Sequence, residues 1–135
     1  MILVETSAWI EFDRATGSAT DQALTSLIKA GGKDITVTEP VMMEVLAGAR
    51  SQQAADQLRR LLTSFAWEPL EPVADFDGAA KIYRSCRAAG ITPRGLVDCM
   101  IANIAIRSGA RLLAADRDFA AMATVVPLRL ALPAD

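Results

Sequence analysis

A chain of 135 residues is long enough to bury one real core and too short for two ordinary domains. With 52% hydrophobic and 22% charged residues it is not disordered, and no apolar run reaches the length of a bilayer span. A formal net charge of −2 and a histidine count of zero exclude the broad positive field of a non-specific nucleic-acid binder, His-based nucleophiles and bases, and the usual zinc and copper ligand sets.

The opening MILVETSAWIEF lacks the basic, apolar and small-residue order of a secretory signal, so the cytosol is the expected compartment. There Cys86 and Cys99, both on predicted helices, are expected as packed thiols rather than a disulfide. Met1 to Val4 reads as a buried strand ending at Glu5, with Thr6 or Ser7 capping the helix that begins near Ala8. Gly17-Ser18 breaks the chain. Asp21 to Ala30 follows as a second helix with Ala23, Leu24, Leu27 and Ile28 on one face.

Ile35 to Val37 is a second short strand, and Thr38-Glu39-Pro40 starts a helix that presents Val41, Met42, Val45 and Leu46 to the core and stops at Gly48. Glu44 sits inside that apolar surface, either as a functional acid or as a surface Glu beside Arg50. Ser51 to Phe65 has helical spacing, Trp67 to Leu70 suggests a third strand, and Val73 to Ala89 a long helix. The polar residues of that helix, among them Asp75, Asp77, Lys81, Arg84 and Arg87, read as a solvated face.

Gly95 to Ser108 reads as a helix apolar nearly all round, stopped at Gly109 and followed by a buried strand, Arg111 to Ala114. Asp98 stands in the first turn of that helix and Asp116 just past the strand. Arg117 to Met122 is a short helix, and Val125 to Leu130 a candidate edge strand interrupted by Pro127. The alternation describes one α/β sandwich with a parallel sheet and no internal repeat, ending in a loose tail over 131–135.

Right-handed crossovers bring the carboxyl ends of parallel strands to one edge. Glu5, Glu44, Asp98 and Asp116 gather there as a four-acid cluster. Two such charges about 4 Å apart repel by about 4 kcal/mol at an effective dielectric of about 20, so the cluster demands a divalent cation or protonation. With no histidine and no Cys site, Mg²⁺ or Mn²⁺ is the economical answer, and such ions serve in-line phosphodiester hydrolysis. Arg14, Arg94 and Arg117 lie a few residues from proposed site elements, where they either hold nucleic-acid phosphates or only solubilise the surface.

MILVETSAWI resembles the MILVDTSAWI start of PIN-domain toxins of the VapC type, and TEPVMMEVLAGA, LVDCMIANIAIRSGA and LLAADRDF resemble that family's later motifs, in order, to about residue 119. The resemblance implies a PIN-like fold, an α/β three-layer α/β/α sandwich around a mostly parallel four- to five-stranded sheet, in a single domain over 1–135. It also implies a metal-dependent endoribonuclease toxin using Mg²⁺ or Mn²⁺, acting on structured RNA such as tRNA or rRNA and neutralised by a VapB-type antitoxin. Its catalytic, metal-binding acids would be Glu5, Glu44, Asp98 and Asp116, with Thr6 or Ser7 as a neighbouring hydroxyl; Asp118 reads as a helix cap rather than a ligand.

The family carries aspartate where this chain has Glu5. The extra methylene displaces the carboxylate by about 1 Å, which predicts weaker metal binding or slower cleavage. Glu5 is also the one feature favouring a catalytically silent PIN-like module that acts through a protein partner. A phosphoacceptor or haloacid-dehalogenase-like domain fits poorly, because Glu5-Thr6-Ser7 offers no Asp nucleophile in a paired-acid start. So apolar a chain is expected to self-associate as a homodimer, with Asp21 to Ala30 and Ala54 to Phe65 as candidate surfaces.

Overall fold

The computed structural model of the protein describes residues 1–132. Its four strands are short: β1 (Ile2–Val4), β2 (Ile35–Val37), β3 (Ala66–Trp67) and β4 (Arg111–Leu113). All pair parallel in the order β3-β2-β1-β4, with Ile2 opposite both Ile35 and Arg111, and Thr36 opposite Ala66. Leu3, Val4, Ile35 and Val37 are fully buried, as a parallel sheet covered by helices on both faces requires. The architecture is a three-layer α/β/α sandwich around a parallel four-stranded sheet.

The fifth strand is reduced to one parallel bridge between Leu112 and Leu130. Pro127 has no N–H to donate, so pairing resumes only beyond it. Ala131 donates to the Leu112 carbonyl at 2.8 Å, and Ala131 and Leu132 pack on the core rather than trailing loose. The rest of the expected tail, 133–135, lies outside the described residues.

The helices are α1 (Thr6–Asp13), α2 (Ala19–Lys29), α3 (Glu39–Ala47), α4 (Gln52–Thr63), α5 (Pro72–Ala88), α6 (Leu96–Ser108) and α7 (Asp118–Ala123). They pack chiefly as neighbours in sequence, α1 on α2, α3 on α4 and α5 on α6. α6 is the core helix: Cys99, Ile101, Ala102, Ile104 and Ala105 are all fully buried, and each isoleucine contributes about 1.5–3 kcal/mol by leaving water. Gly109, at φ 74°, ends α6 in the left-handed conformation that glycine adopts without a Cβ penalty. Both cysteines are buried free thiols.

Two expectations fail in instructive ways. Glu5, not Thr6 or Ser7, caps α1, its side chain accepting from the Ser7 N–H at 2.8 Å. Asp75 is not on a solvated face but fully buried. Its Oδ1 accepts from Arg107 Nε and Asn103 Nδ2, both at 2.9 Å, while its Oδ2 accepts from Arg107 Nη2 at 2.8 Å and from the Glu71 N–H at 2.7 Å. Burial alone would push the Asp75 carboxyl up. The hydrogen bonds from Arg107, Glu71 and Asn103 outweigh it and hold the carboxyl below its ordinary value. This joint fastens α5 to α6 beside Gly78, where a Cβ would fall 2.2 Å from Asn103 Oδ1.

The large apolar side chains that project into solvent are Met1, Met43, Val73, Phe76 and Leu96. None lies on α2 or α4, the helices expected to cover themselves by self-association. Ala23, Leu27 and Ile28 of α2 and Leu58 and Leu61 of α4 already pack on the core.

A candidate metal centre at the carboxyl edge of the sheet

Glu5 leaves the end of β1, and its backbone N–H donates to the Leu113 carbonyl of β4 at 2.9 Å, which locks two strand ends together. Ser7, in the first turn of α1, completes the joint. Its hydroxyl donates to Glu5 Oε2 and accepts from the backbone N–H groups of Ala115 at 2.8 Å and Asp116 at 3.1 Å. That uses the full capacity of a hydroxyl, one donor and two lone pairs. The neighbouring Thr6 hydroxyl turns the other way and donates to Glu44 Oε1 at 2.6 Å. Glu44 therefore belongs to the strand edge and is not the partner of Arg50.

These contacts gather the acids into two overlapping groups. One carboxylate oxygen from each of Glu5, Glu44 and Asp98 lies within 4.8 Å of the others, and the same holds for Asp98, Asp116 and Asp118. Asp98, in the first turn of α6, belongs to both. The expected cluster of Glu5, Glu44, Asp98 and Asp116 is thus two triads sharing one carboxylate, with Asp118 drawn in. Asp118 is no helix cap: it is the first residue of α7, and its own N–H donates to Asp116 Oδ1 at 2.9 Å. A cavity of about 430 Å³ opens over Glu5, Ser7, Glu44, Arg94, Asp98 and Asp116.

The electrostatics show a site short of positive charge. Among the described residues no lysine or arginine stands at ion-pair distance from Glu5, Glu44 or Asp98. Burial is the main force raising the Glu5 carboxyl from 4.5 to about 7. The Ser7 hydrogen bonds oppose it, and repulsion from Asp98 and Glu44 adds to it. Burial, then the charges of Glu44, Asp116 and Asp118, raise Asp98 from 3.8 to about 6. Three hard carboxylate donors at close range, with excess proton affinity and no nitrogen or sulfur ligand, fit an oxygen-seeking divalent ion.

Arg94 precedes α6 and reaches back over this edge, Nε 3.0 Å from Asp118 Oδ2 and Nη1 3.8 Å from Asp116 Oδ2. Asp118 Oδ2 has no hydrogen bond, so the Arg94 contact is one of charge without hydrogen-bond alignment. Arg117 lines a depression with Arg94 and Ser7, and Arg14 and Arg50 line a groove of about 360 Å³ that meets the acids at Glu44. Ser7 was legible as a hydroxyl beside the site, but not as the tie to the 115–116 turn, because the N–H groups it accepts from lie 108 and 109 residues away.

The family model described as PIN domain matches residues 2–125. Ribonuclease VapC11 of Mycobacterium tuberculosis is 40% identical over 97% of this chain and 98% of its own length. Among solved structures, VapBC2 from Rickettsia felis, bound to a DNA fragment from its promoter, superposes with a TM-score of 0.74 at 18% identity, covering 96% of this chain and 97% of that one. A toxin-antitoxin complex from Klebsiella pneumoniae gives a TM-score of 0.68 at 19% identity, covering 96% of this chain and 100% of that one. At those identities the two structures speak for the fold alone.

Proposed function

The chain belongs to the PIN-domain family, among its VapC ribonucleases, and is an endoribonuclease, a hydrolase of phosphodiester bonds; from that premise we propose that Glu5, Glu44, Asp98 and Asp116 hold Mg²⁺ or Mn²⁺ and cut structured RNA such as tRNA or rRNA. The observation that carries the reading is the Glu5–Glu44–Asp98 triad, whose oxygens lie within 4.8 Å of one another with no basic side chain at ion-pair distance among the described residues.

A bound divalent ion supplies charge for the developing oxyanion and lowers the proton affinity of attacking water. The chain's own side chains do the rest. Thr6 holds Glu44 by its Oε1, and Ser7 fixes Glu5 against the 115–116 turn, so the acids stand in place before substrate arrives. Arg14, Arg50 and Arg117 line the flanking grooves and supply phosphate contacts that a net charge of −2 cannot. The toxin's partner is a VapB-type antitoxin, and two copies associate through the apolar side chains that share one face of α5, Val73 and Phe76.

The test is cleavage of a structured RNA by the purified chain with Mg²⁺ or Mn²⁺, with chelator, and by Glu44→Gln. Cleavage is expected only with metal and an intact Glu44, leaving a 5′-phosphate and a 3′-hydroxyl. A 2′,3′-cyclic phosphate product, or cutting that survives chelation, overturns the proposal.

A further inference from the structure

The two acidic triads are not equivalent, because one of them already contains a cation. Arg94 sets its guanidinium 3.0 Å from Asp118 Oδ2 and 3.8 Å from Asp116 Oδ2, while among the described residues no lysine or arginine stands at ion-pair distance from Glu5 or Glu44. Asp118 Oδ2 is sealed from water and accepts no hydrogen bond among the described residues, so the positive charge of Arg94 is what balances it. Asp98 belongs to both triads and feels the charge of Arg94 as well.

We propose that Arg94 is the chain's own cation for the Asp116–Asp118 half of the acidic edge, and that it restricts the centre to a single divalent ion, held on the Glu5–Glu44–Asp98 half, until it withdraws. This rests on the metal reading above and adds to it which part of the edge is open. Withdrawal is an exchange. The Arg94 side chain is 75% exposed and its contact with Asp118 lacks hydrogen-bond alignment, so the guanidinium passes readily into water, and water or a cation takes its place over Asp118 Oδ2 as it leaves. The residue sits in the Thr92–Gly95 turn between α5 and α6, outside any helix, so its side chain can swing without disturbing the core. A guanidinium leaving two carboxylates at the mouth of the cavity is free to pair with a substrate phosphate instead, the partner a guanidinium can hold by two parallel N–H bonds.

The experiment counts Mn²⁺ bound to the full chain, by electron paramagnetic resonance of the free ion and by calorimetry, for the wild type, Arg94→Gln, Arg94→Lys and the distant Arg59→Gln. Wild type is expected to bind one ion. Arg94→Gln is expected to bind a second, or the first about tenfold more tightly, because a competing charge has gone. Arg94→Lys should fall between the two, and Arg59→Gln, which changes net charge equally, should match the wild type. Equal binding by wild type and Arg94→Gln, or two ions already in the wild type, overturns the assignment and leaves the metal centre standing. No binding by any of the chains overturns the metal centre, and the assignment with it.

Discussion

Asp75 and Asp98 each stand in the first turn of a helix, α5 and α6, which pack against each other, and the two acids have opposite surroundings. Asp75 is fully buried yet accepts four hydrogen bonds, two of them from Arg107, whose own charge is strengthened chiefly by that bond. Asp98 is less buried, has no basic ion-pair partner among the described residues, and is pressed by Glu44, Asp116 and Asp118. A buried acid whose lone pairs are filled is a structural joint. An acid crowded by others of its kind is a place for an ion. Burial does not separate the two cases; the accounting of partners does.

The strongest way to break this contrast is Asp75→Ala. It leaves Arg107 charged, half-buried and without its main acceptor, which should cost about 3–5 kcal/mol and lower Tm by about 10 °C or more. RNA cleavage per folded molecule should hardly change. A Tm within about 2 °C of wild type by calorimetry would show that the joint is not what binds α5 to α6.

Asp98→Asn should do the reverse on both counts. Cleavage should fall about 10²–10³-fold, since the carboxylate shared by both triads is gone. Without metal, at mildly alkaline pH, Tm should rise, because one of several mutually repelling charges has been removed. If Asp98→Asn lowers Tm as Asp75→Ala does, the two acids are of one kind.

The reason the sequence separated these acids wrongly is physical. Hydrophobic periodicity placed β1, β2, β4 and the helices within a residue or two, since it reports what each segment buries; it failed on the sheet's edges, where β3, expected over Trp67–Leu70, is only Ala66–Trp67 and the fifth strand is a single bridge. Asp75 looked solvated because its partner, Arg107, is 32 residues away and on another helix. Glu5 went unrecognised as a cap because Ser, Thr, Asp and Asn are the usual capping residues, and a Glu must curl back to reach the Ser7 N–H. The acids at the edge were legible because parallel topology sends strand ends to one side. The division into two triads, and the presence of Arg94 on one of them, depends on side-chain reach that spacing does not encode.

Glu5→Asp sharpens the comparison from within the site. Aspartate caps a helix as well as glutamate does or better, so α1 and the Ser7 joint should survive. What changes is the reach of the carboxylate, shorter by about 1 Å, and a displacement of that size is worth up to about a hundredfold in rate. Faster cleavage at matched Mg²⁺ is expected. Equal rates for the two chains would mean that the extra methylene of Glu5 is without consequence.

The smallest effect is a difference in sign with pH. Glu5 and Asp98 are raised in the folded protein, to about 7 and about 6, so the fold holds protons that the unfolded chain has released. Their contribution to stability is complete below the ordinary values of 4.5 and 3.8 and is lost as pH climbs through about 6 and then about 7. Asp75, held low by Arg107, works the other way: its contribution is present above 3.8 and fades only on acidification. Without metal, Tm should therefore be highest near about pH 5 and fall by several degrees toward about pH 8. Mn²⁺, which competes with protons for the same oxygens, should stabilise more as pH rises and flatten that fall. In Asp98→Asn the metal-free fall should shrink, leaving the Glu5 share. A metal-free Tm that stays level across this range in differential scanning calorimetry would mean the edge acids are balanced by something other than protons or an ion.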